Sequence, residues 1–161
     1  MANKASSTMV SVSQALELLN QVLKLEYSMI VHYPRLASAI GDVEIRKLTL
    51  QLGSASVHHA DIVAKAISRL GGTPRWSFEP FPEEPDIIEI FRVQLEKEQT
   101  AERLHHQCVV LVDDPSLSQR LKEIAEEEHF HVRIVNDILA KLFRREQEGR
   151  PVQQVRPNPF F

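Results

Sequence analysis

The sequence predicts an all-α protein, a four-helix bundle with one long crossover between the second and third helices. Apolar residues recur at steps of three and four along four long segments, which is the spacing of one face of an α-helix. Short turns at Gly41-Asp42 and Asp113-Asp114 join helices one and two and helices three and four, so each pair should be antiparallel. The segment from Thr73 to Pro85 contains four prolines and three aromatic residues. It is too long for a tight turn and predicts a crossover along the outside of the bundle.

Capping and helix-breaking residues set the expected bounds of each element. Ser11 with Gln14 resembles a capping box, so helix one should begin at Ser11 or Ser13. It should end near Ser38, with a kink at Pro34. The other helices should run from about Val43 to Leu70 before Gly71-Gly72, from about Pro85 to Val112, and from Ser116 to near Gln147. The chain then divides into a flexible N-terminus (1–10), the bundle (11–147) and a Pro-rich, non-helical tail (148–161).

Composition and charge exclude several classes of protein. With 161 residues, 43% of them hydrophobic and 25% charged, the chain fits one globular domain with a sizeable core. A net charge of -3 argues against a nucleic-acid binder, which normally has a basic face. No apolar run approaches the roughly 18 to 20 residues of a membrane span, and the N-terminus lacks the apolar region of a signal peptide. The single cysteine, Cys108, suits a reducing compartment, so we expect a cytoplasmic protein.

Acids and histidines interrupt all four apolar faces. On helix four, Glu128 and His131 lie in an otherwise apolar stripe, where an ionised carboxylate is costly unless something pairs with it. A Glu-x-x-His pair that faces the core of a bundle can place a carboxylate oxygen and an imidazole nitrogen on one metal ion. Each of the other helices adds one such residue at an inward position: Glu26 on helix one, His59 on helix two and Glu98 on helix three.

Every one of these residues also has a purely structural alternative. A buried acid and a buried histidine can satisfy each other without doing any chemistry, as Glu128 and His131 would in an ion pair. Glu26 could be a core carboxylate bonded to Tyr33 or to water, and His59 a hydrogen-bonded core histidine. Glu98 could be a solvated residue of the charged run from Glu96 to Glu98. His105 could be either a core histidine or a supporting residue of the site.

Three motifs, taken in order, resemble those of the ferritin-like superfamily, above all the bacterioferritins and rubrerythrins. The run from Glu26 to Tyr33 looks like the family's E-x-x-A-I-x-x-Y signature, and His59-Ala60-Asp61 with the downstream Gly72-Thr73-Pro74 is similar to a bacterioferritin H-A-D and G-x-P. The run from Ile124 to His131 resembles the acid-and-histidine motif of the family's last bundle helix. The resemblance covers roughly residues 10 to 145.

The resemblance implies a site for two iron ions in the bundle core, oxidised together by dioxygen or peroxide, as in a ferroxidase or a related oxidase. Fe(II) and dioxygen or peroxide are then the expected small-molecule partners, and family habit implies a homodimer formed through an outer helix face. Tyr33 is a candidate for a redox or supporting role. The ligand set is Glu26, His59 and Glu128 for one ion and Glu98, His131 and Glu128 for a second, weaker one, with Glu128 as the only bridge.

The chain departs from the family in ways that bear on this site. The family's helix two carries E-x-x-H, whose glutamate bridges two metals, but Ser56 stands three residues before His59 and cannot supply a carboxylate. The haem-binding methionine of bacterioferritins would fall on Val57, so we expect no haem. A gapless match places the helix-three ligand near Lys97 and Glu96, whereas the apolar stripe selects Glu98. The tail does not resemble the family's short fifth helix, so we do not expect a 24-subunit cage.

Ser56 leaves two classes of function open. Losing a bridging carboxylate removes a negative charge between two dications, so the second metal should bind less tightly. The site could hold two irons with water in place of the acid, or one metal, or none. Two irons would favour an oxidase. One metal or none would favour a non-catalytic helical bundle that acts through partners.

Overall fold

A computed structural model describes residues 2–84, 86–150 and 152 of the chain. It confirms the predicted all-α four-helix bundle with one long crossover, and these residues contain no β-strand. None of the helices in these ranges is apolar over a stretch long enough to cross a lipid bilayer. The helices are α1 (Ala2–Ala39), α2 (Val43–Arg69), α3 (Ile87–Leu111) and α4 (Pro115–Gln147).

The predicted start of helix one was wrong. α1 begins at Ala2, nine residues before Ser11. Residues 2–10 contain neither glycine nor proline, so nothing in the sequence forces the helix to start at the capping box. Pro34 lies inside α1, and the helix continues beyond it to Ala39. Of the predicted tail, Pro151 and residues 153–161 lie outside the described residues.

Aspartates cap the other three helices. Asp42 accepts a hydrogen bond from the Ile45 N–H, and Asp86 accepts one from the Ile88 N–H. Asp114 accepts from two backbone N–H groups at the start of α4. Such caps satisfy backbone donors that have no partner inside the helix. Because Asp86 is the cap, α3 begins at Ile87 and not at Pro85, which itself lies outside the described residues.

Contacts across the core fix the direction of the helices. Tyr33 on α1 contacts Glu98 on α3, and Glu26, seven residues earlier, lies beside His105, seven residues later. The two helices are therefore antiparallel. On α4, His131 lies near Glu98 and Glu128 lies near His105, so α3 and α4 are antiparallel as well. Residues of similar depth on all four helices thus meet in one layer.

Two separate apolar cores lie on either side of that layer. One contains Met29, Tyr33 and Leu36 of α1 together with residues from the N-terminal half of α2, the start of α3 and the C-terminal half of α4. The other contains Leu19 and Leu23 of α1 together with residues from the opposite ends of the same three helices. In every helix, the acids and histidines predicted to face inward lie between the two apolar segments.

The crossover is anchored beside this layer through Glu79. The backbone N–H of Glu79 donates to Ser28 Oγ at 2.8 Å, and its carbonyl accepts from His32 Nε2 at 3.0 Å. Its carboxylate pairs with Lys97, the residue before Glu98. Phe81 packs edge-on against His32, with ring centroids 5.3 Å apart. The crossover therefore follows the outside of α1, as predicted, but polar contacts hold it as much as aromatic ones.

Candidate metal centre

The layer between the two apolar cores brings all five predicted ligands together. All are buried, with His131, at 7% exposure, the most accessible. His105 and Tyr33, both fully buried, lie among them. By contrast, His58, His106 and His129 are exposed. The cluster comprises Glu26, Tyr33, His59, Glu98, His105, Glu128 and His131, contributed by all four helices.

Glu128 is the centre of the cluster. Its Oε1 accepts a hydrogen bond from His59 Nδ1 at 2.9 Å, and its Oε2 accepts one from His131 Nδ1 at 3.3 Å. The imidazole rings of His59 and His131 stack with centroids 5.2 Å apart. A carboxylate that offers one oxygen to each side is the geometry of a bridging ligand, which is the role predicted for Glu128.

Glu98 is the inward carboxylate of α3, as the apolar stripe predicts. Its Oε1 accepts a hydrogen bond from the Tyr33 hydroxyl, and its Oε2 lies 3.6 Å from His131 Nδ1. Glu96 is exposed, and Lys97 points to Glu79 on the crossover. The gapless match, which placed the helix-three ligand near Glu96 and Lys97, therefore does not select a carboxylate in the cluster.

Tyr33 is held close to the cluster by a glycine on the neighbouring helix. A Cβ atom at Gly53 would lie 3.1 Å from the Tyr33 Cβ, a tight contact that a side chain at this position could make only if Tyr33 shifted by a few tenths of an ångström. The contact of Tyr33 with Glu98 gives it a supporting position. Its phenol remains neutral, because burial and the charge of Glu98 raise its pKa well above 10.0.

Glu26 is the carboxylate with the fewest contacts. Its Oε1 lies 3.5 Å from His59 Nδ1, yet neither of its oxygens has a hydrogen-bond partner among the described residues. A fully buried carboxyl group without a partner is rare, because burial costs the group its hydration. Glu98 Oε2 likewise has no hydrogen-bond partner within the described part of the chain.

His105 was weighed in the sequence as a core histidine or a supporting residue, and not as a ligand. The structure places its Nε2 3.9 Å from Glu26 Oε1 and 4.0 Å from Glu128 Oε1. The signal in the sequence was its position one heptad after Glu98, on the same face of α3. The stripe alone could not distinguish an inward histidine that faces two acids from one that faces apolar residues.

Ser56 occupies the place of the family's second bridging acid. It is 1% exposed, and its hydroxyl has no partner in the ranges that the structure describes. The cluster thus contains three carboxylates, from Glu26, Glu98 and Glu128, and no fourth one beside Ser56. This is the largest difference between this chain and a full four-carboxylate, two-histidine site.

His59 is oriented from outside the cluster by Glu127. The Glu127 carboxylate accepts from His59 Nε2 at 2.8 Å, while Nδ1 points inward to Glu128. The Glu127 side chain is half exposed, so it connects a buried imidazole with solvent. A carboxylate that holds the outer N–H of a histidine fixes the tautomer whose inner nitrogen has a free lone pair for a metal.

In the metal-free protein the cluster carries protons on most of its groups. Burial, together with the charge of Glu128, raises the pKa of Glu26 well above 4.5, and burial raises that of Glu98 to about 7. Burial alone opposes a charged imidazole, but the hydrogen bond to Glu128 and the nearby carboxyl group of Glu26 raise the pKa of His59 to about 11. Burial also opposes an ionised Glu128, yet hydrogen bonds from His131 and His59 keep its pKa well below 4.5.

The two remaining histidines differ in charge. Against the effect of burial, the hydrogen bond to Glu128 and the nearby carboxyl group of Glu98 raise the pKa of His131 to about 9. Burial lowers the pKa of His105 to about 4, so its imidazole is neutral at neutral pH. Glu128 is therefore the fixed negative charge of the cluster, with two positive histidines paired to it.

The donor atoms are close enough to share metal ions. His59, Glu128 and His131 form one group of three donors, and Glu26, His105 and Glu128 form another, each with its atoms within 4.8 Å of one another. Metal–ligand bonds of about 2.1 Å at tetrahedral angles put ligand atoms roughly 3.4 Å apart. The carboxylate and imidazole set, with buried oxygens that lack partners, fits a divalent transition metal. The two groups share Glu128 but divide the histidines differently from the prediction, because His105 joins Glu26.

The family model described as a ferritin-like domain matches residues 16–145. The chain belongs to the ferritin-like family. Its resemblance to that family was therefore identified correctly from the motifs. None of the curated proteins matches the sequence.

Solved structures of this family share the fold at low sequence identity. A ferritin-like, diiron-carboxylate protein from Bacillus anthracis has 21% identity and a TM-score of 0.73, and the match covers 80% of this chain and 97% of that one. A dodecameric thioferritin from Bacteroides fragilis has 17% identity and a TM-score of 0.73, with 92% and 98% covered. The bacterioferritin of Desulfovibrio desulfuricans, which has a diiron site, has 19% identity and a TM-score of 0.70, with 85% and 84% covered.

We expect Glu127→Ala to weaken metal binding about 10- to 100-fold, because His59 loses the carboxylate that fixes its tautomer. Calorimetric titration of the metal-free protein with Co(II) measures this affinity. Glu126→Ala is the matched control, since Glu126 is a neighbouring exposed acid. Equal affinities in the two variants would show that Glu127 does not orient the site.

We expect the metal-free protein to lose at least about 1 kcal/mol of stability between pH 6.5 and 9. Glu98, with a pKa of about 7 against an ordinary 4.5, and His131, with about 9 against 6.5, keep protons in the fold that the unfolded chain releases. Stability falls with pH wherever the folded state binds more protons. Urea unfolding in the presence of a chelator measures the effect, which should be smaller in Glu98→Gln. A free energy of unfolding that rises over this range would contradict it.

Proposed function

We propose that this ferritin-like chain binds iron in the bundle core and oxidises Fe(II) with dioxygen or peroxide. The observation that carries the proposal is the buried layer itself. Three carboxylates and the predicted histidines meet there, and oxygens of Glu26 and Glu98 lack partners within the described residues. A layer that served stability alone would pair these atoms, since each unpaired buried oxygen costs free energy.

Glu26, His59, Glu98, Glu128 and His131 are the residues that would hold the iron, with Glu128 shared between two ions. Each bound Fe(II) supplies one electron for the reduction of dioxygen or peroxide. The protein supplies a pocket of fixed carboxylates, which suit a hard, highly charged product ion. Tyr33 orients Glu98 through its hydroxyl hydrogen bond.

Proton movement accompanies metal binding in this proposal. The carboxyl groups of Glu26 and Glu98 and the imidazoles of His59 and His131 must lose protons before their lone pairs are free. Tyr33 keeps its proton and stays a hydrogen-bond donor.

The second candidate is a helical bundle that binds one metal or none and acts through partners. The observation that favours it is Ser56, together with the hydrogen bonds that already pair Glu128 with His59 and His131. That pairing stabilises the cluster without a metal. It leaves Glu26 without a hydrogen-bond partner among the described residues, which is why we favour the iron site.

Anaerobic loading with Fe(II), followed by exposure to oxygen, tests the proposal. We expect two irons per chain and oxidation well above the rate in buffer. Glu128→Ala and His131→Ala should abolish tight binding, because each removes a central donor. His129→Ala should bind normally, since His129 is exposed and is hydrogen-bonded to Glu102, which is outside the cluster. One iron or fewer without oxidation would favour the second candidate, and equal affinity in all three variants would defeat the site assignment.

We also propose a homodimer formed through the outer face of α2. Val43, Leu50 and Val57 lie one heptad apart on that face and are 82%, 44% and 54% exposed. Such a row of apolar side chains suits a second helix of the same kind.

Sedimentation at micromolar concentration should show a dimer that Val57→Lys disrupts. Val110→Lys on α3 is the control, because Val110 is 84% exposed on another helix. A wild-type monomer would remove this proposal and leave the metal site untouched.

A further inference from the structure

His105 is the buried polar residue of the cluster that neither the family motifs nor the hydrogen bonds explain. It is fully buried, and neither of its ring nitrogens has a partner among the described residues. A histidine that serves only the core normally satisfies at least one nitrogen. Its Nε2 lies 3.9 Å and 4.0 Å from the nearest oxygens of Glu26 and Glu128, too far for hydrogen bonds.

These distances match those between ligands of one ion. Donor atoms bound at about 2.1 Å lie roughly 3 to 4 Å apart, depending on the coordination angle. Glu26 offers two oxygens that have no partner in the described ranges, and one of them, Oε1, is the oxygen beside His105. The three donors of Glu26, His105 and Glu128 lie within 4.8 Å of one another.

We propose that His105 is a metal ligand and completes, with Glu26 and Glu128, a second ion site that the family motifs do not include. The inference rests on the proposed function of this cluster as a metal site. His105 returns the number of protein donors to six, where Ser56 had reduced it to five. The donor set becomes three carboxylates and three imidazoles.

A histidine donor in place of the family's second bridging carboxylate has a chemical consequence. An imidazole is neutral, so His105 replaces the missing donor but not the missing negative charge. Three carboxylates balance fewer of the charges on two metal ions than four do. Imidazole ligands also suit Fe(II), Zn(II) and Co(II) more than Mg(II) or Ca(II). The site should therefore bind divalent transition ions.

Co(II) titration of the metal-free, full-length protein tests the inference. His105→Leu replaces the imidazole with an apolar side chain of similar size. We expect wild type to bind two Co(II) ions, and His105→Leu to bind one normally and the other at least about 100-fold more weakly, since direct ligands contribute no less than the groups that orient them. His106→Ala is the matched control, because His106 is the exposed neighbour. It should behave as wild type, and the visible spectrum of Co(II) should change only in His105→Leu.

A second measurement uses the unaltered protein. With Zn(II) added, the ¹⁵N resonance of His105 Nε2 should shift to the range of a metal-bound imidazole, together with those of His59 and His131. A shift of the other two without His105 would overturn the inference and would favour a water bridge between His105 and the two acids. Wild type that binds no Co(II) and shows no shift would overturn the proposed function as well, so the two failures are distinguishable.

Discussion

The pairing of Glu128 with His59 and His131 is the interaction on which the rest of the structure depends. It places a fixed negative charge at the centre of a buried layer, where the pKa of Glu128 stays well below 4.5. Removing Glu128 would leave two buried, positively charged histidines without their shared partner, which costs several kcal/mol. All four helices must keep their register for this layer to form. The Asp caps, the close contact at Gly53 and the anchored crossover each help to fix the position of a helix along the bundle.

The layer has a cost that the fold alone does not explain. Apolar residues at the same positions would join the two cores into one and would leave no unpaired oxygen or nitrogen. Five of the described residues have unpaired buried side-chain atoms. Those of Glu26, Ser56, Glu98 and His105 are in or beside this layer, and the fifth residue, Gln94, lies one turn before Glu98 on α3. Natural proteins sacrifice stability of this kind mostly where function needs it. This cost supports the proposal that the polar layer is a binding site.

Periodicity in the sequence predicted most of this arrangement. It predicted the four helices, their inward faces and the choice of Glu98 over Glu96, because an apolar stripe indicates which side of a helix is buried. It did not report which inward residues have partners, and so His105 was placed among the supporting or core residues. The start of α1 was missed because a capping box at Ser11 also fits inside a helix. Glu79 is hydrogen-bonded to Ser28 and His32, which lie 51 and 47 residues away in sequence, and such non-local polar contacts leave no local pattern.

The measurement that tests the central claim most directly is the thermal unfolding midpoint of wild type with Co(II) and with a chelator. The donors come from four separate helices, so an ion held by the layer binds the folded state far more tightly than the unfolded chain. At a free metal concentration about 100 times the dissociation constant, the gain is about 2.7 kcal/mol. For a domain of this size that is roughly 5 to 10 °C. A rise of this size that follows the metal concentration is the result we predict, and an unchanged midpoint at saturating metal would contradict the account.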